Sequence, residues 1–462
     1  MPRMIKNTFF RLPGISAPIF RYNASEWSLF YAPGTLVRVI AARANVYEDH
    51  LRSHYDDDHF PFLKDLRRSA VRAERLYLKK QSAHFEPLSL NLYLNQKCNL
   101  HCRYCFSALP EAEGRELSLQ SIQSAAEIIA ANCAKHHQPL TVVFHGGGEP
   151  VLSWRLVNQV QPFLRKLAER NAIPLFRYIA TNGVMPESRA RWLAKSFDLI
   201  GLSCDGPPEI QAAQRPARDP KADSTPLIER TARILHEAGK TVHVRVTLTA
   251  STVDQQAEIC RYLCENLMPR EIHVEPVYSN GRPHPGLFLA DEHLDRFINA
   301  YFEAQSVAAA YGSEWKMSGS RLSEVHGAHC NILRQVLNLV PGEAATACFK
   351  LTNAEQAKEA DLSIGRLDPQ TGIFVLDDRH IRALRAHYTR PEGCKQCLIA
   401  HQCTHNCPNA CPLVNRRAEA EMGGDVLCKL LRQVASQQII RLSGQLDVSP
   451  SNPVASLSIS MS

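Results

Sequence analysis

The apolar residues Leu88, Leu90, Leu92 and Leu94 alternate with other residue types, the period of a strand that buries one face. From there to about residue 277, short β-branched or aromatic runs recur at 141–145, 176–180, 199–204, 241–248 and 272–277, each separated by a segment of helix length. Ser118 stands where it can cap a helix whose apolar residues Ile122, Ala125, Ile128 and Ile129 fit the helical period. Gly239 closes a later helix as a C-terminal glycine does. With the first strand included, these are six βα units. The pattern predicts an α/β fold, a partial (β/α)6 TIM-like barrel over residues 86–310 with right-handed crossovers and its chemistry at the C-terminal edge of the strands.

The flanks read differently. Residues 1–85 form a small N-terminal extension, strand-like over 27–40 around the turn Ala32-Pro33-Gly34 and then charged and helix-like through Arg68 and Arg75. A helical stretch over 291–311 leads into a cysteine-rich region, 311–442, which ends in a helix near 427–442. Residues 443–462 are Ser-rich and contain proline, so a mobile tail is expected.

A chain of 462 residues is long enough for two or three cores. Its 45% apolar and 21% charged residues describe an ordinary globular protein. The net charge of +7 is not gathered into a long basic run, which argues against a nucleic-acid partner and leaves room for a modest preference for acidic substrates. No apolar segment reaches membrane-spanning length, and residues 1–11 lack the apolar core of a signal peptide. No membrane partner and a cytoplasmic location are the expectation.

Fifteen cysteines change the picture, because disulfides are not maintained in the cytoplasm and metal binding is the usual alternative. Cys133, Cys204, Cys260 and Cys264 fall on helical or strand patterns as small core residues. Cys98, Cys102 and Cys105 follow the first strand in a C-x3-C-x2-C spacing. Three thiolates can hold three corners of a [4Fe–4S] cube and leave the fourth iron open. The alternative is zinc with His101 as a fourth ligand. The other strand ends are also polar or glycine-rich: His145-Gly146-Gly147-Gly148-Glu149-Pro150, Thr181-Asn182-Gly183, then Ser203, Asp205 and Gly206, with Arg215 following. An arginine's planar fork suits a carboxylate, and Arg245 on the fifth strand is a rival for that role unless it sits in an ion pair.

The Cys98–Cys105 motif, with Tyr104 at the aromatic position, resembles the radical S-adenosyl-L-methionine (SAM) enzymes. The resemblance implies that the amino and carboxylate groups of SAM chelate the open iron, and that an electron cleaves SAM to methionine and a 5′-deoxyadenosyl radical. It further implies that Gly147, Gly148 and Glu149 bind the SAM amino group, while Ser203 and Arg215 contact its ribose and carboxylate. Cys330, Cys348, Cys394, Cys397, Cys403, Cys407 and Cys428 resemble the SPASM extension, which carries two auxiliary [4Fe–4S] clusters. By that likeness Cys394, Cys397, Cys403 and Cys428 close one cluster. Cys330, Cys348 and Cys407 hold the other, whose fourth position is open or filled by Cys411. A pair of zinc sites is the alternative.

The activity implied is hydrogen abstraction from a side chain of a precursor peptide or protein, supported by an electron donor such as flavodoxin or ferredoxin, most simply forming a thioether or carbon–carbon crosslink. Residues 1–85 would then be a peptide-docking module, or else a cap over one end of the barrel. A second reading is an anaerobic sulfatase maturase that forms formylglycine. Those enzymes place an aspartate where Phe349 stands here, so Asp361 or Asp368 would have to supply the base. A third is a non-catalytic, zinc-binding scaffold.

Overall fold

The computed structural model describes residues 6–12, 15, 17–53, 60–82, 84–105, 107, 115–219, 221–277, 286–325, 333–387, 392–403 and 424–461. An antiparallel meander comes first, with β1 Lys6–Arg11, β2 Pro18–Asn23, β3 Trp27–Ala32 and β4 Thr35–Ile40. Ala32 pairs with Thr35, so Pro33-Gly34 is a two-residue turn, and Gly34 supplies the positive φ (98°) that this turn demands. Period-two alternation gives the sheet two apolar faces. Ile19, Phe30, Val37 and Val39 pack against helices α1 Ala44–Ser53 and α2 Pro61–Ser82, while Phe20, Tyr22, Leu29, Tyr31 and Leu36 join the main core.

The six expected parallel strands follow: β5 Ser89–Leu92, β6 Leu140–Phe144, β7 Leu175–Thr181, β8 Leu199–Ser203, β9 Val242–Leu248 and β10 Glu271–Pro276. Helices α3 Leu119–Lys135, α4 Trp154–Arg170, α5 Glu187–Ser196, α6 Pro208–Gln214, α7 Thr225–Glu237 and α8 Gln256–Leu267 fill the crossovers. Ser118 caps α3 by accepting from the Ser121 amide at 3.1 Å, and Gly239, at φ 69°, follows α7.

The sheet runs further than the periodicity indicated. After α9 Leu294–Ala310, β11 Glu314–Met317 adds in parallel beside β10, and β12 Val336–Val340 adds in parallel beside β5. Antiparallel β13 Ala344–Thr346, β14 Ser363–Leu367 and β15 Phe374–Leu376 complete an 11-stranded sheet with β11 and β15 at opposite edges. The sheet is therefore open, without barrel closure. Strands β12–β15 lie within the region assigned from its cysteines to a separate part, and they continue the central sheet instead. One face, with Val142, Phe144, Ile200, Leu202, Val244, Val246, Ile272 and Val274, is buried beneath the helices. Positions of the opposite phase on the same strands include His145, Ser203, His243, Arg245, His273 and Glu275, and this polar face is only partly covered.

The expected mobile tail is corrected. Residues Val454–Ser458 form β16, which pairs antiparallel with β4 and closes one edge of the N-terminal sheet. Arg38 on β4 donates to the carbonyls of Ser443 (3.0 Å) and Leu446 (2.8 Å), anchoring the approach to that strand. An edge strand draws its order from backbone pairing, so serine-rich composition does not forbid it. Deleting residues 453–462 would leave the β4 edge open. The expected result is a thermal midpoint lower by about 3 °C or more and a greater tendency to aggregate, read by differential scanning fluorimetry and light scattering.

Cys133, Cys204, Cys260 and Cys264 are buried in the core, as their patterns predict. Among the described residues no helix is long and apolar enough to cross a membrane.

Candidate functional site

The loops after β5, β6, β7 and β8 converge at the C-terminal edge of the sheet. The loop 98–105 is held on one side by the segment that follows α6. His101 donates its amide to the Pro216 carbonyl (2.8 Å), Arg103 to Gln214 (3.0 Å), and Arg218 to Asn99 (3.2 Å). On the other side Asn182, after β7, donates to Asn99 Oδ1 at 2.7 Å and to Cys98 Sγ at 3.7 Å. Within the loop the Cys105 amide donates to the Cys102 carbonyl at 3.1 Å, closing a tight turn. Burial pushes the Cys102 thiol up to about 12, with Arg215 pulling the other way and Cys105, Asp205 and Cys98 adding to the rise. Cys98 is raised by burial and by Glu149. Each of the three thiols thus lies within electrostatic reach of another.

Arg215 and Tyr104 meet at a buried carboxylate that the sequence reading gave no role. Tyr104 Oη donates to Asp205 Oδ2 (2.6 Å) and accepts from Arg215 Nη1 (2.8 Å). Gln214 Nε2 also donates to Asp205 Oδ2 (2.9 Å), and the Thr247 amide to Oδ1 (3.0 Å). Arg215 Nη1 lies 3.9 Å from Asp205 Oδ1, so the pair is ionic, and both residues are buried. Asp205 therefore links the cysteine loop, the end of α6 and β9. Arg215 Nε is buried and without a hydrogen-bond partner among the described residues. A donor left in that condition is costly unless a ligand takes it.

The glycines after β6 allow a close backbone approach. A Cβ on Gly147 would overlap the Asn95 carbonyl, and one on Gly148 the Lys97 carbonyl. Their absence lets the loop lie on the segment entering the cysteine motif, with the Gly148 amide donating to Asn95 O (2.6 Å) and the Glu149 amide to Lys97 O (2.7 Å). The Glu149 carboxylate is buried and accepts from Thr181 Oγ1 (2.7 Å), the Asn182 amide (2.7 Å) and the Val151 amide (3.0 Å). Burial raises its pKa against these three donors. It therefore fastens the β7 loop to the β6 loop. Gly148→Ala is expected to cost about 1–3 kcal/mol through overpacking and to shift Cys98, giving a lower denaturation midpoint together with weaker SAM binding in a titration.

Ser203 is partly buried at the end of β8, beside Arg245 on β9. Among the described residues Arg245 is in no ion pair, and its Nη1 meets His145 Nε2 at 2.9 Å. Cys348 is buried near the mouth of the sheet, since Tyr93 Oη donates to the carbonyl of Phe349 (2.7 Å) and Gln96 Nε2 to Thr352 Oγ1 (3.2 Å). Cys394 and Cys397 share one turn, Cys403 follows it with its amide on the Ile399 carbonyl (2.8 Å), and Cys428 sits on the helix Gly424–Ser443. Cys330, Cys407 and Cys411 lie outside the described residues. Asp361 has its side chain 91% exposed, and Asp368 binds the amides of its own turn beyond β14, so neither faces the cysteine loop.

The site suits an iron–sulfur cluster with SAM in two respects. Three thiols stand on one loop with mutual influence, and a buried guanidinium beside them has an unused donor. Among the described residues no three His, Cys, Asp or Glu side chains close on a single point as one metal ion requires. Thiolates on separate corners of a cube need not do so.

Residues 92–263 match the sequence profile of the Radical SAM superfamily. The chain is 23% identical over 324 residues to the serine-type anaerobic sulfatase-maturating enzyme of Klebsiella aerogenes, covering 67% of this chain and 77% of that one. It is 26% identical over 185 residues to the cysteine-type anaerobic sulfatase-maturating enzyme of Clostridium perfringens strain 13, covering 39% of this chain and 49% of that one. Among solved structures, native anSMEcpe with bound AdoMet superposes with a TM-score of 0.60 at 18% identity, over 78% of this chain and 100% of that one. SAM and a [4Fe–4S] cluster are the cofactors of the Radical SAM superfamily, which residues 92–263 of this chain resemble, and the chain is similar to the anaerobic sulfatase-maturating enzymes.

Proposed function

We propose that the chain modifies a peptide or protein substrate, with Cys98, Cys102 and Cys105 holding the SAM-binding cluster. The observation that carries this reading is the tie between the cysteine loop and Arg215, whose Nη1 donates to Tyr104 Oη while its Nε is left unused among the described residues. When bound, the cluster and SAM supply reductive cleavage and a 5′-deoxyadenosyl radical able to take hydrogen from a side chain. Arg215 would bind the SAM carboxylate, with Asp205 and Tyr104 fixing its orientation. Ser203 would face the ribose. Gly147, Gly148 and Glu149 shape the loop that receives the amino group, largely by holding the β5 and β7 loops together.

Cys348 would belong to a nearer auxiliary cluster with Cys330 and Cys407, and Cys394, Cys397, Cys403 and Cys428 to a farther one. Tyr93 and Gln96 join the Cys348 loop to the strand end that leads into Cys98. A peptide substrate is supported by a solved structure of the related anSMEcpe, which holds both AdoMet and the Cp18Cys peptide. A crosslinked ribosomal peptide remains the preferred product. Formylglycine formation is the second reading, favoured by the sulfatase-maturating relatives and opposed by Phe349 and by the outward placement of Asp361 and Asp368.

Anaerobic reconstitution tests the proposal. About twelve irons per chain with matching acid-labile sulfide, and 5′-deoxyadenosine on adding SAM and reductant, are expected. Zinc without sulfide, and no SAM turnover, would support the scaffold reading instead.

A further inference from the structure

The polar face of the sheet holds a cation, Arg245, that has no counter-charge among the described residues. On β9, Val244 and Val246 point into the helical layer, so Arg245 between them lies on the opposite, concave face, where it is exposed. Its one hydrogen-bond partner among the described residues is His145, which belongs to the end of β6, three strands away in the sheet order. Only a curved face lets side chains meet over that interval. Of the two strands between them, β7 brings the Tyr178 ring across Gly201 of β8. Ala180 on β7 pairs with Gly201 on β8. The Tyr178 hydroxyl is set where a Cβ of Gly201 would be.

The neighbouring charges are already balanced. Lys316 pairs with Glu271, and His273 lies 2.9 Å from Glu275 Oε1 and 2.7 Å from Ser318 Oγ. His145 brings no negative charge, since burial and the Arg245 guanidinium hold its pKa at about 3. The ring is therefore neutral, accepts the arginine N–H at Nε2 and orients the fork. Arg215 is the arginine whose field reaches Cys98 and Cys102, so it occupies the cofactor side of the same mouth. Arg245 remains for something else.

We propose that Arg245, oriented by His145 and assisted by the Tyr178 hydroxyl, is a carboxylate receptor that takes an acidic side chain of the substrate on this polar face of the sheet. Arginine is suited to this because two N–H donors can meet two carboxylate oxygens in one plane. The net charge of +7 favours the approach of an acidic partner. The inference names the substrate class of the radical SAM site and rests on that reading.

The test uses SAM-loaded holoprotein prepared without oxygen, and two probes, N-acetyl-aspartate N′-methylamide and its asparagine counterpart, followed by saturation-transfer NMR. The aspartate probe should bind the unaltered protein more tightly than the asparagine probe. Arg245→Gln should weaken the aspartate probe by about ten- to a hundredfold with little change for the neutral one, and Arg245→Lys should fall between. Equal binding of both probes, or an aspartate affinity that survives Arg245→Gln, overturns the receptor. A loss confined to SAM affinity would assign the carboxylate to SAM and overturn the substrate reading. Failure of the unaltered protein to form 5′-deoxyadenosine would sink the radical SAM function instead, and is a separate readout from either probe.

Discussion

Replacing Cys98, Cys102 and Cys105 together by alanine is expected to abolish 5′-deoxyadenosine formation and to remove about four irons per chain, leaving about eight. The three side chains share one loop, and each is partly exposed rather than packed into the core, so their loss removes little apolar contact. The loop itself is held by backbone bonds from His101, Arg103 and Arg218 and by Asn182 on Asn99, none of which needs a thiol. The apo variant should therefore melt within about 2 °C of the apo parent, corresponding to under ~1 kcal/mol. Iron and sulfide analysis, a SAM turnover assay and a melting curve give the three readings. Residual turnover in the triple variant would mean that the reacting cluster hangs elsewhere.

Asp205→Ala is expected to be the most damaging single substitution for the fold around the site, at about 3–5 kcal/mol. Asp205 is fully buried and accepts from Tyr104, Gln214 and the Thr247 amide while facing Arg215. Removing it strands a buried guanidinium without counter-charge and leaves three donors unmet, which costs more than the pair itself contributes. The double substitution Asp205→Ala with Arg215→Met removes both charges and should recover part of the stability but none of the SAM affinity. Urea denaturation and SAM titration of the two variants separate these effects. A loss below about 1 kcal/mol for Asp205→Ala would show that the network is not the brace described.

The same carboxylate shows where sequence reading stops. Asp205 lies at the end of a recognisable strand next to Ser203, and a polar residue at such a strand end was the available signal. Its partners, Tyr104, Gln214 and Thr247, are separated from it by 9 to more than 100 positions. No period or spacing links them. Tyr104 was matched to a motif position, yet its hydroxyl acts by tying two loops. Gly147 and Gly148 make room for the carbonyls of Asn95 and Lys97, a requirement that no local spacing discloses. Arg245 had an ion pair as its ordinary alternative, and the partner is the neutral ring of His145 on a distant strand.

The sequence by itself determined the six parallel strands with their helices, the cysteine motif at the first strand end and the glycine-rich loop at the second. Those features follow from local alternation, caps and ligand spacing, which act over a few residues. The tertiary structure decided that the sheet stays open and gains β11 and β12 at its flanks, and that a serine-rich terminal segment becomes the edge strand β16. It also decided that Arg215 is braced by Asp205 while Arg245 is not. Each of these depends on backbone donors, acceptors or charges finding partners far along the chain, and only folding specifies which partners come within reach.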